Sequence, residues 1–395
     1  MKLTDGQGHL TYCLNIHATQ TWEDVRTALT GPVKAVKDAI SPNAPFAVGL
    51  RFSGEALAQL TDPAKRADLK SLMQAHEYLG ITVNGFPYGQ FHNASVKEEV
   101  YQPDWRSDER VKYTNALADL MAELAPKGEM VSLSTVPGTF KPLGPGSEAL
   151  MAQNYLLCVA HLIELEARSG VQVALAIEPE PFCFLETIEE SIAYFQEHLF
   201  SASAVAMISD LTGLSQSDAA AALPRHLGLC YDVCHAAVEY EDPAASIAAL
   251  KQAGIPIHKL QLSAALRIPR VGPAERLALE AYKEPTYLHQ VIRRHPGGLT
   301  MHMDLPEALA LGAETDGEEW RVHFHVPVFI EDLGAFSSTR DFLEQILALH
   351  RADPISPHLE IETYTWDVMP DAIRSATVDQ DILREMSWVL KQLGQ

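Results

Sequence analysis

Short runs rich in Val, Ile, Leu and aromatic residues alternate along the chain with longer stretches in which apolar residues recur every three or four positions. The short runs predict strands over 10–17, 46–52, 81–87, 130–137, 173–180, 227–234, 257–263 and 358–364. The longer stretches, rich in Ala, Leu, Glu and Lys, predict helices over 55–79, 107–125, 147–169, 185–199, 242–253, 338–351 and 379–393. A helix after nearly every strand marks repeated βα units around a parallel sheet, and this repetition favours a closed (β/α)8 TIM barrel over an open doubly wound sheet. No glycine-rich phosphate loop follows the first strand, which weighs against a dinucleotide-binding fold. The whole of 1–395 reads as one barrel domain. Such a barrel typically needs about 250 residues, so extra material is expected in loops. Insertions are expected at 88–106, at 201–226 and, before the last βα unit, at 264–320.

The predicted strand ends carry the chemistry. Val322-His323-Phe324-His325-Val326-Pro327, Ala176-Ile177-Glu178-Pro179-Glu180, Cys230-Tyr231-Asp232-Val233-Cys234-His235 and Leu359-Glu360-Ile361-Glu362 each run from an apolar core into carboxylates or imidazole. Alternate side chains of a strand share a face, so His323 and His325, Glu178 and Glu180, and Glu360 and Glu362 are same-face pairs. In a barrel the active site lies at the carboxyl ends of the strands, where each of these motifs is expected. Converging there, Glu178, Asp232, His325 and Glu362 would hold a divalent metal, with His323 and His235 alongside. Mixed oxygen and nitrogen donors favour Mn, Zn, Co or Fe over calcium, with one to three ions. A metal with open positions could polarise a carbonyl, and Glu178 and Glu362 would then serve as catalytic base and acid. Glu178 is preferred to Glu180 because it directly ends the apolar run, and Glu362 to Glu360 because it lies one pleat nearer the mouth.

Composition narrows the partners. Of 395 residues, 30 are Lys or Arg and 52 Asp or Glu, a formal charge of −22, which opposes nucleic acid as a partner. No apolar run approaches the roughly 20 residues of a membrane span, so no membrane insertion is expected. The opening Met1-Lys2-Leu3-Thr4-Asp5-Gly6 lacks a signal-peptide layout, and a cytoplasmic location is expected. Five cysteines are too few and too irregular for a disulfide scaffold. Cys230 and Cys234 flank Asp232 as a thiolate zinc site would, but without the usual two-residue gap, and they read as buried apolar thiols.

Glu178, Asp232-x-x-His235 and Glu362, in that order, resemble the xylose isomerase-like superfamily of sugar isomerases, sugar epimerases and endonuclease IV. The resemblance spans the barrel and implies divalent metal on the strand-five glutamate, the strand-six aspartate, a strand-seven histidine and the strand-eight carboxylate. Here the strand-seven position holds Gln261, an added candidate ligand, and His323 and His325 stand where endonuclease IV has an Asp-x-His pair. Thr11 to His17, Gly85 to His92, Tyr287 to Gln290 and Arg321 to Val328 further resemble the EboE-type metabolite traffic family. That resemblance implies a role in moving a secondary-metabolite precursor, with pathway proteins of the same gene cluster as partners. Asn15, His17 and His92 are candidate substrate contacts, as are Glu180 and His289. Phe86, Tyr88, Phe91, Trp105, Phe182, Tyr364 and Trp366 could form an aromatic wall against a ring. His295 and His302 read as surface.

Three readings follow. The first is a metal-dependent isomerase, epimerase or lyase acting on a small polyhydroxylated or phenolic metabolite. The second is a non-catalytic metabolite-binding or trafficking protein, favoured by Gln261. The third is a phosphodiester hydrolase of endonuclease IV type, favoured by the paired histidines and opposed by the charge.

Overall fold

The computed structural model describes residues 1–87, 101–283, 288–369 and 374–395. Eight strands form the parallel sheet of the barrel: β1 (His9–Tyr12), β2 (Phe46–Arg51), β3 (Tyr78–Asn84), β4 (Val131–Thr135), β5 (Val173–Ile177), β6 (Leu227–Asp232), β7 (Ile257–Leu262) and β13 (His358–Ile361). Their order, β1-β13-β7-β6-β5-β4-β3-β2, is that of a rolled sheet. A parallel bridge between Cys13 and Gly49 joins its two edges. Thr11 reinforces the seam, its Oγ1 donating to the Ala47 carbonyl at 2.7 Å and accepting from the Gly49 amide at 3.2 Å. The (β/α)8 barrel expected from the periodicity is therefore the observed fold.

Several elements differ from expectation for local reasons. The first strand stops at Tyr12, and Leu14–Ile16 turns into a short 3-10 helix. The segment between strands one and two, where the periodicity predicts no element, contains helices Trp22–Thr30 and Pro32–Ile40. Thr21 and Asp24 form a capping box at the first, and Pro32 starts the second at a position where its missing N–H costs nothing. The expected helix 55–79 is two, Gly54–Gln59 and Pro63–Ala75. Asp62 caps the second through the Ala64 amide at 2.8 Å, and Pro63 opens it. The 201–226 excursion is helical, Ala202–Thr212 and Gln216–His226.

The largest correction concerns the histidine strand. The insertion before the last βα unit forms a second, antiparallel sheet of β8 (Ala264–Ile268), β9 (Val291–His295), β10 (Gly298–His302), β11 (Glu319–Val326) and β12 (Ser337–Ser338), in the order β10-β9-β11-β8-β12. It reaches residue 338 rather than 320, and β11, which carries His323 and His325, is its central strand and no part of the barrel. The paired histidines reach the mouth from above, while the carboxylates rise from below.

The barrel interior is polar. Asn84, Ser134, Lys259, Gln261 and Glu360 are all fully buried within it. Lys259 Nζ lies 3.0 Å from Glu360 Oε1 and donates to Asn84 Oδ1 at 2.8 Å, and Asn84 Nδ2 donates to the same Glu360 oxygen at 2.6 Å. Gly49 is glycine because of this network: a Cβ there would stand 2.1 Å from Glu360 Oε2 and 2.6 Å from the Tyr12 carbonyl oxygen.

The C-terminal helix Val378–Leu393 packs against the helices Pro32–Ile40 and Arg340–Ala352 and against β1. From it, buried Glu385 accepts from Thr363 Oγ1 at 2.6 Å, the Val328 amide at 3.2 Å and Trp366 Nε1 at 3.3 Å. Burial pushes its carboxyl up to about 7, against those three hydrogen bonds. The unfolded chain ionises this group near the ordinary 4.5 while the folded chain keeps the proton to about 7. Its contribution is therefore full below the unfolded value and is lost as pH rises through the folded one. We expect Glu385→Gln to flatten the fall in stability across that window by up to about 3 kcal/mol, as read by denaturant titrations at a series of pH values. An unchanged slope would show that Glu385 is already ionised in the folded protein.

Candidate metal centre

Each side chain of the site is held by the backbone that delivers it. Glu178 directly follows β5, its amide bonded to the Thr135 carbonyl at 3.0 Å. Asp232 ends β6 and caps the helix Val233–Val238. Its Oδ1 accepts from the His235 amide at 3.1 Å and Ser263 Oγ at 2.7 Å, which leaves Oδ2 buried without a partner. Glu362, just past β13, accepts from Asn15 Nδ2 on one oxygen at 3.0 Å and from Gln261 Nε2 on the other at 2.9 Å.

The three histidines are fixed through Nδ1. His235 Nδ1 donates to the Pro179 carbonyl at 2.9 Å, His325 Nδ1 to the Glu362 carbonyl at 2.5 Å, and His323 Nδ1 to Gln290 Oε1 at 2.7 Å. A carbonyl oxygen can only accept, so Nδ1 carries a proton in each, which leaves the Nε2 lone pairs of His323 and His325 for coordination; His235 Nε2 lies 3.9 Å from Asp232 Oδ2. Nε2 of His323 and of His325 is buried without a partner, as is Glu178 Oε2. The rings gather closely, with centroids 4.6 Å apart for His235 and His323, 5.4 Å for His323 and His325, and 5.8 Å for His235 and His325.

Among the described residues, four overlapping sets place their donor atoms within 4.8 Å of one another: Glu178, Asp232 and Glu362; Asp232, His235 and His325; Glu180, His235 and His323; and Cys234, His323 and His325. Orphaned buried lone pairs converging from several elements fit a divalent cation. The expected quartet is divided, however. His325 shares a set with Asp232 but not with Glu178 or Glu362, and it meets Glu362 through the backbone carbonyl on its Nδ1 side.

Electrostatics set the carboxylates apart. Burial pushes Glu178 up to about 8, assisted by Asp232 and opposed by His235 and Lys259. Burial raises Glu362 well above the carboxylate range, and Glu178 and Asp232 add to this. Burial acts the same way on Asp232, but His235, His325 and the bonds from Ser263 and the His235 amide outweigh it and hold the carboxyl low. Burial lowers His325 to about 4 against the pull of Asp232, and lowers His323 further with His235 and His325 beside it. Burial also opposes the charge on His235, yet Asp232, Glu180 and Glu178 raise it above its ordinary value.

The remaining expected contacts divide. Asn15 serves the site by holding Glu362. His17 turns to the Tyr12 hydroxyl, 3.2 Å from its Nε2. Glu180 accepts from Tyr101 OH at 2.8 Å at the edge of the histidine group. His289 is a support, its Nδ1 donating to the His323 carbonyl at 3.0 Å. Gln261 turns its Nε2 to Glu362 and leaves Oε1 buried without a partner. Phe86 is half-buried against the core. Trp366 is a correction: its indole is 1 % exposed and its N–H goes to Glu385, so it is core and no part of a substrate wall. Trp105 is likewise core, donating to Thr135 Oγ1 at 3.0 Å. Tyr364 lies against His325, ring centroids 4.6 Å apart. Tyr88, Phe91 and His92 lie outside the described residues. Sequence reasoning missed Lys259 and Asn84 beneath the site, since no spacing marks them, and it paired Cys234 with Cys230 where the structure sets it beside His323 and His325.

No protein-family model matches the chain, and no curated protein matches it. Solved structures similar to it include xylose isomerase-like barrels. The Xylose isomerase domain protein from Planctomyces limnophilus is 10% identical, covering 91% of this chain and 92% of its own, at a TM-score of 0.46. The probable 3-DHS dehydratase AsbF involved in petrobactin synthesis from Bacillus anthracis is 11% identical over 96% and 97%, at 0.46. The IOLI protein with a binding zinc atom is 12% identical over 98% of both chains, at 0.46.

The floor of this centre is directly testable. Lys259→Met would leave Glu360 buried without its cation, and we expect a loss of about 3–5 kcal/mol. Adding Glu360→Gln should restore much of it, because the uncompensated charge is then gone. Urea unfolding of the single and double variants reads both. A double variant as unstable as the sum of the two singles would show that the pair is not what balances the floor.

Proposed function

We propose that the chain is a metal-dependent barrel enzyme that moves a proton next to a carbonyl in a small polyhydroxylated or phenolic metabolite, in the manner of an isomerase or epimerase. The observation that carries this reading is the buried trio Glu178, Asp232 and Glu362 at one barrel mouth, with donor atoms within 4.8 Å and a partnerless oxygen on each of Glu178 and Asp232. Those three residues would hold the cation, with His235 and His325 against Asp232. A bound divalent cation would polarise a substrate carbonyl and acidify the neighbouring C–H.

The chain's own residues then divide the labour. Glu178 Oε2 has no partner and takes the proton as base. Glu362 is oriented on both oxygens by the Asn15 and Gln261 amides and stands on the other side as acid. Burial pushes both glutamates up, while the aspartate beside them is held low. Tyr364, ring against His325, offers an aromatic face beside the site.

A second reading, metabolite binding without turnover in a secondary-metabolite export pathway, is supported by Gln261, whose amide faces Glu362 where a strand-seven histidine would face a metal. It keeps the resemblance to the EboE-type traffic family and the expected pathway partners. The phosphodiester hydrolase reading is the weakest, since a formal charge of −22 opposes a polyanionic substrate.

Manganese- or zinc-loaded protein incubated with a panel of keto sugars and hydroxylated cyclic ketones in deuterated water decides between them. We expect deuterium at the carbon next to the carbonyl of at least one substrate, with the rate reduced about 10²–10⁴-fold in Glu178→Gln. Saturable binding of a panel member with no exchange at any carbon would favour the trafficking reading.

A further inference from the structure

We propose a second, softer cation position made by Cys234, His323 and His325, suited to zinc and distinct from the oxygen-only trio below it. The donor atoms of these three residues lie within 4.8 Å of one another, and all three residues are buried. His323 and His325 are 4% and 0% exposed, and their Nε2 atoms have no partner. Two partnerless imidazole nitrogens beside a thiol sulfur form a donor set whose lone pairs nothing in the protein satisfies, and thiolate with imidazole is the ligation zinc prefers.

The placement of Cys234 is specific. It lies in the helix Val233–Val238, and its amide donates to Ser263 Oγ at 2.9 Å. The same hydroxyl donates to Asp232 Oδ1 at 2.7 Å, so one serine fixes both the aspartate of the first position and the cysteine of the second. Val238, Ala265 and Ile292 pack around the cysteine and shield it from water. Cys230, on the opposite side of Asp232 in sequence, pairs in register with Lys259 and takes no part in the histidine sets. Both histidines are already oriented, His325 by the Glu362 carbonyl and His323 by Gln290, which His289 reinforces through the His323 carbonyl. Binding would displace the thiol proton to solvent and leave thiolate, two neutral imidazoles and one open position.

The two positions differ in donor class. Glu178, Asp232 and Glu362 offer hard oxygens, whereas the upper set offers sulfur and nitrogen, so one mouth would hold two unlike ions. The inference does not depend on turnover, and its test reads the metal and not the reaction.

The experiment is cobalt(II) loading of the full chain under reducing, anaerobic conditions. We expect an intense near-ultraviolet thiolate-to-cobalt charge-transfer absorption in the wild type, kept in Glu178→Gln and lost in Cys234→Ser. Bound cobalt without that absorption, its persistence in Cys234→Ser, or no cobalt bound at all would overturn the proposal. Should Cys234→Ser fail to fold, X-ray absorption at the zinc edge of the wild-type holoprotein decides, with sulfur in the coordination shell as the supporting result and nitrogen and oxygen alone as the overturning one. Loss of deuterium exchange with the charge-transfer band intact would sink the isomerase reading and leave this one standing.

Discussion

The carboxylates of Glu178, Asp232, Glu360 and Glu362 and the ammonium of Lys259 share the mouth end of the barrel interior, and the rest of the structure follows from compensating them. Glu178, Asp232, Glu360 and Glu362 are all at most 6% exposed, and an isolated buried charge costs far more than any single contact returns. Each is handled differently. Glu360 has Lys259 and Asn84, Glu362 has two amides, and Asp232 has a serine, a helix amide and nearby imidazoles. Glu178 has a backbone anchor and a bare oxygen. Such an arrangement is balanced by protonating a carboxyl or by admitting a cation, and the raised values of Glu178 and Glu362 are the protonated answer when no cation is bound.

The barrel alone does not complete the centre. At the level of Asp232 on β6 and Glu360 on β13, β7 offers Gln261, which is in register with both. A carboxamide donates to Glu362 well but supplies no imidazole lone pair. The antiparallel insertion sheet makes up the difference. Its central strand β11 shifts register against β8 between Val322 and His325, and the local twist that a bulge introduces helps to aim side chains off the regular ladder. Gln290 and His289 then orient His323, one through its ring and the other through its carbonyl.

This division explains what the sequence could reveal. Parallel strands buried on both faces read as continuous apolar runs, so the eight barrel strands stood out, and carboxylates at their ends marked the mouth without any structure. The sheet to which β11 belongs was not legible, because an alternating run such as Val322 to Val326 looks the same in a barrel and in an antiparallel insertion. Periodicity gives the face of a side chain but not its distance across the mouth, so it did not show that His325 shares donor reach with Asp232 while meeting Glu362 through the backbone carbonyl. Trp366 misled for a related reason. A tryptophan just past a strand end can face a ligand or the core, and here Glu385, from a helix at the far end of the chain, claims its N–H.

The buried floor pair indicates what the interior is built for. Exchanging a buried ion pair for apolar residues of similar volume is often neutral or stabilising, so stability alone does not account for Lys259 and Glu360. The barrel has also given up a side chain at position 49 to make room for Glu360, since a Cβ there would overlap its carboxylate. From that pair a continuous line of hydrogen bonds runs through Asn84 to Gln261 and on to Glu362, at 2.6, 3.2 and 2.9 Å. A polar column that ends on a carboxylate at the mouth is accounted for by orientation of that carboxylate. The fixed charge below sets the Asn84 amide, the amide sets Gln261, and Gln261 presents Glu362 in one position to whatever cation or substrate meets it.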